Sequence, residues 1–405
     1  MPNHAPHPNT ISKEFLKMPG FEVFGKEEQA AINKIFELNG GILFAHGFDN
    51  LRNGVYRVRE YEQAFKGVFG TKFAQATSSG SSAIKVALKA LEIGPGDEVI
   101  TQSYTFVATV EAIFETGATP VIVDIDDTLN MDPRTLEAAI TPRTKAIMPV
   151  HMMGEGADLA GIIKIAEKHG LPVVEDTAQA LGASLGGRLL GTIGTVGVFS
   201  TDAGKTLCTG EGGMIITNNE RVYQIARSYH DHGHDYTMKH DRGNEGALCR
   251  GFNYRMTELQ AAIGIEQLKK LDMIVGTQRA NKAKLIQGLD MGLPYRRSID
   301  SAGDNGELLV FFLPDRDRTA AFAKAMREKG LGTKNLPDAI KWHFSKYWEH
   351  MFTDHPLYAG RAMEAWSTSA DVLECSIALP VMIKMDDARI DFICTTLNQI
   401  AKDVL

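Results

Sequence analysis

From Phe73 to Thr217 the chain alternates short apolar runs with helical stretches, and turn residues separate one from the next. KFAQATSSGSSAIKVALKALEIG predicts a short strand, a tight turn and a long helix. DEVITQ is then followed by TFVATVEAIFETG, TPVIVDI by PRTLEAAI, and TKAIMPV by ADLAGIIKIAEKHG, before LPVVEDT ends another apolar run at acidic residues. Strands that recur with a helix between them predict a mostly parallel sheet with helices on both faces. Upstream, KEEQAAINKIFELNG and VREYEQAFKGVFG read as helices closed by glycine. After LGTIGTVGVFS and GGMIITNN the texture changes: a helical stretch from Met256 to about Leu271 gives way to ELLVFFLP and DRTAAFAKAMREKG. The expected organisation is a flexible tail over residues 1–17, a large α/β domain over 18–275 and a smaller α+β domain over 276–405.

Composition narrows the function classes. The 405 residues are 44% hydrophobic and 23% charged, with a formal net charge of -7 and a sequence pI near 6.0. That balance, with no long run of one sign, gives no electrostatic case for nucleic acid or an anionic membrane surface. No apolar stretch approaches the roughly eighteen residues that span a bilayer, and MPNHAPHPNT is polar where a signal peptide has an apolar core. Cys208, Cys249, Cys375 and Cys394 are scattered, which suggests neither a zinc site nor a disulfide framework. A cytoplasmic protein whose partners are small molecules and a second copy of itself is expected.

Three local features bear on chemistry. TSSGSSAIKVAL sets hydroxyls and a glycine between a strand and a helix, where backbone amides can face a phosphate; a serine there also serves as a plain helix cap. VVEDTAQALGA puts Glu175 and Asp176 at the end of a buried parallel strand, where open α/β sheets collect ligands, and a buried carboxylate implies a cationic partner. FSTDAGKTLCTGEGG holds Lys205 among small residues that offer little cover for its stem and no counter-charge. A lysine amine, a buried acid and a phosphate cup together describe a site for pyridoxal 5'-phosphate.

With these residues in view, the chain resembles the DegT/StrS sugar aminotransferases, which share the fold of aspartate aminotransferase. The resemblance runs from about Met18 to the end and is densest from Lys72 to Gln260. It implies phosphate contacts at Ser79, Gly80, Ser81 and Ser200, an aromatic on the pyridine ring at Phe106, and the pyridine-nitrogen partner at Asp176. Gln179 would lie near the cofactor's phenolic oxygen, and Lys205, followed by TGEGG, would carry the cofactor. Asn253 in GFNYRMTELQAAIG would reach the phosphate of a neighbouring subunit, which implies a homodimer with shared sites. TDAG stands where relatives commonly have an aromatic and a histidine or tyrosine, so the surroundings of the lysine do not carry over.

The resemblance also implies the reaction: L-glutamate donates an amino group, Lys205 acts as base and then acid, and a carbonyl sugar accepts. Related sugar dehydratases replace the lysine with histidine, and this chain keeps lysine. FEVFGKEE, GVYRVREYE and GTKNLPDAIKWHF are similar to the branch that makes 8-amino-3,8-dideoxy-manno-octulosonate for lipopolysaccharide from its 8-aldehyde. The alternatives are an aminotransferase of nucleotide-linked 3-keto or 4-keto deoxyhexoses, a sugar dehydratase using the same cofactor, and a cofactor-binding regulator. A sugar acid needs a cationic anchor, for which Arg52, Arg57, Arg59 and Lys341 are candidates by position. HDHGH, residues 230–234, reads as a loop near the site with no metal, and Trp342 and His343 sit where relatives place substrate-side loops.

Overall fold

The computed structural model describes residues 19–38, 40–237 and 244–405; the tail expected over residues 1–17 lies outside them. The strands are β1 (Phe73–Thr77), β2 (Glu98–Gln102), β3 (Thr119–Val123), β4 (Thr144–Ile147), β5 (Val174–Asp176), β6 (Ser184–Leu185), β7 (Arg188–Leu189), β8 (Val196–Ser200), β9 (Gly213–Thr217), β10 (Leu308–Phe312) and β11 (Ser376–Pro380). One group runs β1-β9-β8-β5 and another β3-β2-β4. Parallel bridges from Ile147 to Val173 and from Val150 to Asp176 set β4 beside β5, so the two groups form one layer ordered β1-β9-β8-β5-β4-β2-β3. All neighbours are parallel except β9, which runs antiparallel to both β1 and β8.

Alternation along the strands divides the core. Val174, Val196, Val198 and Ile215 pack with the helices Gly80–Ala90 and Glu220–Tyr229 on one face. Ala74, Ala76, Met214 and Ile216 pack with the helices Arg57–Phe69 and Glu258–Leu268 on the other. Each such aliphatic side chain, taken fully out of water, contributes about 1.5–3 kcal/mol. Both faces must therefore be apolar, which explains why these strands read as near-continuous apolar runs.

The helical stretch expected from Met256 to about Leu271 is two helices. The first ends at Leu268, and a second spans Leu271–Gly288 after a turn at the two lysines Lys269 and Lys270. Leu271, Ile274 and Val275 belong to the sheet's core, whereas Leu285 packs with β10, β11 and the helices Arg316–Glu328 and Asp387–Val404. The expected division at 275/276 falls inside this continuous helix. Among the described residues, no helix is long and apolar enough to cross a membrane.

Pleating sends neighbouring side chains of a strand to opposite sides, so Glu175 and Asp176 part company. Glu175 is buried and accepts from the backbone N–H groups of Gly191 (2.8 Å), Ile193 (2.6 Å) and Gly194 (2.5 Å). His151 accepts from Ala157 N at Nδ1 (3.1 Å), which leaves Nε2–H to donate to Glu175 (3.1 Å). Burial alone would raise the Glu175 pKa, but His151 and the backbone donors outweigh it and hold the carboxyl below its usual value. Glu175 is thus a staple for the loop before β8, and its partners are hydrogen-bond donors where a cation was expected.

Glu175→Ala leaves four donors, two buried and two half-buried, without this acceptor and is expected to cost about 3 kcal/mol in urea unfolding. Because the folded pKa is depressed, the wild-type contribution is present above the unfolded carboxylate value and lost as pH falls through the folded one. The gap between wild type and variant should narrow on acidification; a gap that widens would contradict the assignment.

Candidate active site

The carboxyl ends of β1, β5 and β8 and the loop after β2 converge on one cavity of about 390 Å³. Ser79, Gly80, Ser81, Phe106, Asp176, Gln179, Ser200 and Lys205 all line it. This is the edge at which open α/β sheets hold ligands, because every parallel strand delivers a loop there.

The cup is built by capping. Ser79 is the N-cap of Gly80–Ala90: its Oγ accepts from Ser82 N (3.1 Å), while Ser82 Oγ accepts from Ser79 N (2.9 Å). The next N–H groups, of Gly80 and Ser81, start the helix and have no acceptor within it, so they remain available to an anion. The cap and the cup are the same structure. A Cβ on Gly80 would lie 2.6 Å from the Ser200 Cβ, so glycine is what lets the end of β8 close the opposite wall. A Cβ on Gly213 would meet Ser79 O at 2.2 Å, which gives the last glycine of TGEGG its packing reason.

Asp176 is 2% exposed at the cavity's floor. Its carboxylate accepts from Thr109 Oγ1 (2.9 Å) and Ala178 N (3.1 Å), and the Thr109 hydroxyl lies 2.6 Å from that of Thr105. Burial pushes the Asp176 pKa up, against the Ala178 N–H, the Thr109 hydroxyl and the charges of Lys205 and His151. No ion pair offsets that burial among the described residues, so the floor suits a ligand carrying a positive N–H.

Lys205 is 17% exposed on its side chain, with Nζ 3.8 Å from Asp202 Oδ2. A counter-charge therefore exists where none was expected. Asp202 also accepts from Gly204 N (2.6 Å) and Ser200 Oγ (3.2 Å), which shapes the turn that presents the lysine. Gln179 Oε1 accepts from Asn335 Nδ2 (2.9 Å). Phe106 is 41% exposed, so it is a cavity wall and not a core residue; its ring lies 5.4 Å from that of His343. Thr105 N and Val107 N donate to His343 O (2.9 Å) and Trp342 O (3.0 Å), which brings the late aromatic segment alongside the cofactor-facing loop. His343 donates from Nδ1 to Ala339 O (2.8 Å), and burial pushes its imidazole down to about 4.

Asn253 stands apart. It is exposed, lies outside the cavity, and its Oδ1 accepts from Arg255 N (3.3 Å). The neighbouring Tyr254 O accepts from Ser78 N (2.8 Å), so GFNYRM braces the cup from behind. The histidines of HDHGH diverge: His230 is buried against Gln75, and His234 meets Glu245 at 2.8 Å. Arg52 is no free anchor. It is fully buried, pairs with Glu258 at 3.0 Å and stacks on Tyr56 (3.9 Å), with Arg59 near the same ring at 3.7 Å. Neither Arg57, Arg59 nor Lys341 lines the cavity.

Sequence reasoning missed Thr105, Thr109, Asp202 and Asn335. The i, i+4 threonines of TFVAT and the acid three residues before the lysine were visible signals; Asn335 is joined to the site only by folding.

An amine, a buried acid, an anion cup and an open aromatic face in one cavity fit pyridoxal 5'-phosphate. On this mostly parallel sheet with one reversed strand, they define the class of cofactor-binding proteins with the aspartate aminotransferase fold. Residues 47–398 match the DegT/DnrJ/EryC1/StrS aminotransferase family, and the chain belongs to it. Its cofactor is pyridoxal 5'-phosphate.

The chain is 44% identical over 222 residues to the spore coat polysaccharide biosynthesis protein SpsC of Bacillus subtilis, a match over 53% of this chain and 57% of that protein. It is 45% identical over 214 residues to GDP-perosamine synthase of Caulobacter vibrioides, over 53% and 56% respectively. The matched region thus spans little more than half the length of these curated relatives. The crystal structure of S. venezuelae DesV in complex with a ketimine intermediate superposes with a TM-score of 0.78 at 28% identity, covering 93% of this chain and 94% of that one.

Borohydride reduction of the loaded protein followed by peptide mapping is expected to place the pyridoxyl label on Lys205; a label on another lysine would refute the assignment. Asp176→Asn, nearly isosteric, should slow the half-reaction with glutamate by on the order of 10²-fold or more without unfolding the protein.

Proposed function

We propose that this chain is an aminotransferase that moves an amino group from L-glutamate to the carbonyl of a sugar. The observation that carries the reading is the convergence of Lys205 and Asp176 on a cavity walled by the Ser79, Gly80, Ser81 and Ser200 cup. Pyridoxal 5'-phosphate supplies, when bound, an electron-withdrawing ring that stabilises the charge left as the donor loses its α proton. Asp176 would keep the ring nitrogen protonated, the cup would hold the phosphate, Phe106 would cover the ring, and Gln179, oriented by Asn335, would serve the phenolic oxygen. Lys205 Nζ would hold the cofactor and, with its amine free, would serve as the base that takes the donor's α proton and then as the acid that returns it. A lysine at this position also favours amino transfer over the dehydratase alternative, and the complete set of Lys205, Asp176 and the phosphate cup argues against the regulator.

Two acceptors have support. The 8-aldehyde of 3,8-dideoxy-manno-octulosonate rests on the FEVFGKEE, GVYRVREYE and GTKNLPDAIKWHF stretches; Arg52, paired to Glu258, is not free to anchor its carboxylate. A nucleotide-linked keto-hexose rests on the likeness to GDP-perosamine synthase. Trp342, 62% exposed beside the Phe106 loop, offers that acceptor a flat face. A cytoplasmic location accompanies either reading, in keeping with four free cysteines.

The reading includes a homodimer completed by the partner's Asn253. Its support is the exposure of Asn253 outside its own cavity and of Leu248, Phe252, Phe44, Phe48 and Leu51, a set of large apolar side chains that suits an interface between copies.

Glutamate offered with the octulosonate aldehyde and, separately, with nucleotide-linked 3-keto and 4-keto hexoses should release 2-oxoglutarate beyond one equivalent per site with one class alone. Turnover of a nucleotide sugar and none of the aldehyde would remove the octulosonate reading and leave amino transfer standing; no repeated turnover with any of these sugars would remove both. Mixing Lys205→Ala with Asn253→Ala chains should restore one intact site per mixed dimer, so activity should rise above that of either variant alone. A fully active monomer would refute site sharing.

A further inference from the structure

A second cavity, of about 360 Å³, lies between the helix Leu271–Gly288 and the segment that leads into β10, and it shares no residue with the Lys205 cavity. Its size falls at the lower end of the range for small-ligand sites. The chain before β10 pairs antiparallel with it at a bridge from Tyr295 to Phe311: Arg296 N donates to Val310 O (3.0 Å) and Phe312 N to Pro294 O (2.9 Å). Arg297 leaves for Asp126 (2.8 Å) and Asp127 (2.7 Å), while Tyr295, Arg296 and Ser298 line the cavity.

Arg296 is 8% exposed. Its Nε donates to Thr128 O (2.6 Å) and its Nη1 to Met153 O (3.3 Å), but among the described residues its buried Nη2 has no acceptor and the buried Ser298 hydroxyl has no partner. A buried guanidinium that meets two neutral carbonyls and no carboxylate is an unbalanced charge, and leaving a charged donor unpaired is costly. The neighbouring charges do not correct it. Lys282 is shared between Asp304 and Glu155 (3.7 Å), and Arg279 donates to the Asp304 carbonyl. Three cations thus face two acids around the cavity, which leaves room for one negative charge. The remaining wall includes Tyr295, Ile286, Leu309 and Val310, which is an apolar surface.

We propose that this cavity binds a small organic monocarboxylate, with its oxygens accepting from Arg296 Nη2 and Ser298 Oγ and its apolar body against Leu309 and Val310. The site backs onto the cofactor cavity: Arg296 holds Met153 O, and the next residue, Gly154, donates from its backbone N to Gln179 O (2.8 Å).

Calorimetric titration of the cofactor-loaded protein with sodium isovalerate and with sodium benzoate tests this, with isovaleramide and benzamide as uncharged counterparts and sodium phosphate as the inorganic anion. Arg296 also braces two loops, so the variants are Ser298→Ala and Ala283→Trp, the latter at an exposed lining position where bulk closes the cavity. Saturable binding of a carboxylate is expected in the wild type, weakened about tenfold by Ser298→Ala. Ala283→Trp should abolish it, with glutamate-dependent 2-oxoglutarate release retained in both variants. No saturable heat in the wild type would mean a cavity that holds only water and would overturn the proposal. Equal binding of the amides, tighter binding of phosphate than of either carboxylate, or binding that survives Ala283→Trp would overturn it as well.

Discussion

The burial of the Asp176 carboxylate at the end of β5 is the interaction on which the site depends. A carboxylate taken out of water without a counter-ion is unfavourable, and two hydrogen bonds, from Thr109 and Ala178, offset only part of that. The remainder makes the cavity floor receptive to a protonated ring nitrogen. Everything else in the cavity is placed relative to that floor: the cup at the end of β1, the serine at the end of β8, the lysine on the following turn. Because β1, β5 and β8 all run the same way, their ends share one edge, and β9 can reverse without disturbing it.

The adjacent acid shows how much the pleat decides. Glu175 and Asp176 differ by one position and one methylene, yet the first ties a loop to the sheet through backbone donors and the second faces the cofactor cavity. Arg296 and Arg297 also part, one to the second cavity and the other to Asp126 and Asp127. In both pairs the local sequence presents two like residues, and the fold gives them unlike surroundings.

Much of the site was legible because it is local. The strand, the capping turn and the helix of TSSGSSAIKVAL are specified by neighbouring residues, and so are the end of β5 at Asp176 and the Lys205 turn with its glycines. Their joint chemistry could be read before their distances were known. Arg52 was misread for the opposite reason: a basic residue in a short loop resembles an anchor until Glu258, far along the chain, is folded onto it. The helix break after Leu268 was also missed, since apolar spacing continues across it while the chain turns from one core to the next.

The alternating runs were enough to specify a mostly parallel α/β sheet, and the motifs at their ends carried the resemblance to the family, since each depends on periodicity or on groups a few positions apart. Folding alone decided that Asn335 orients Gln179, that Trp342 and His343 flank Phe106, that Asn253 lies outside its own cavity, and that Arg296 is buried short of an acceptor among the described residues. Those relations join residues distant in sequence, and no local pattern encodes a contact whose partner is chosen by the packing of the whole chain.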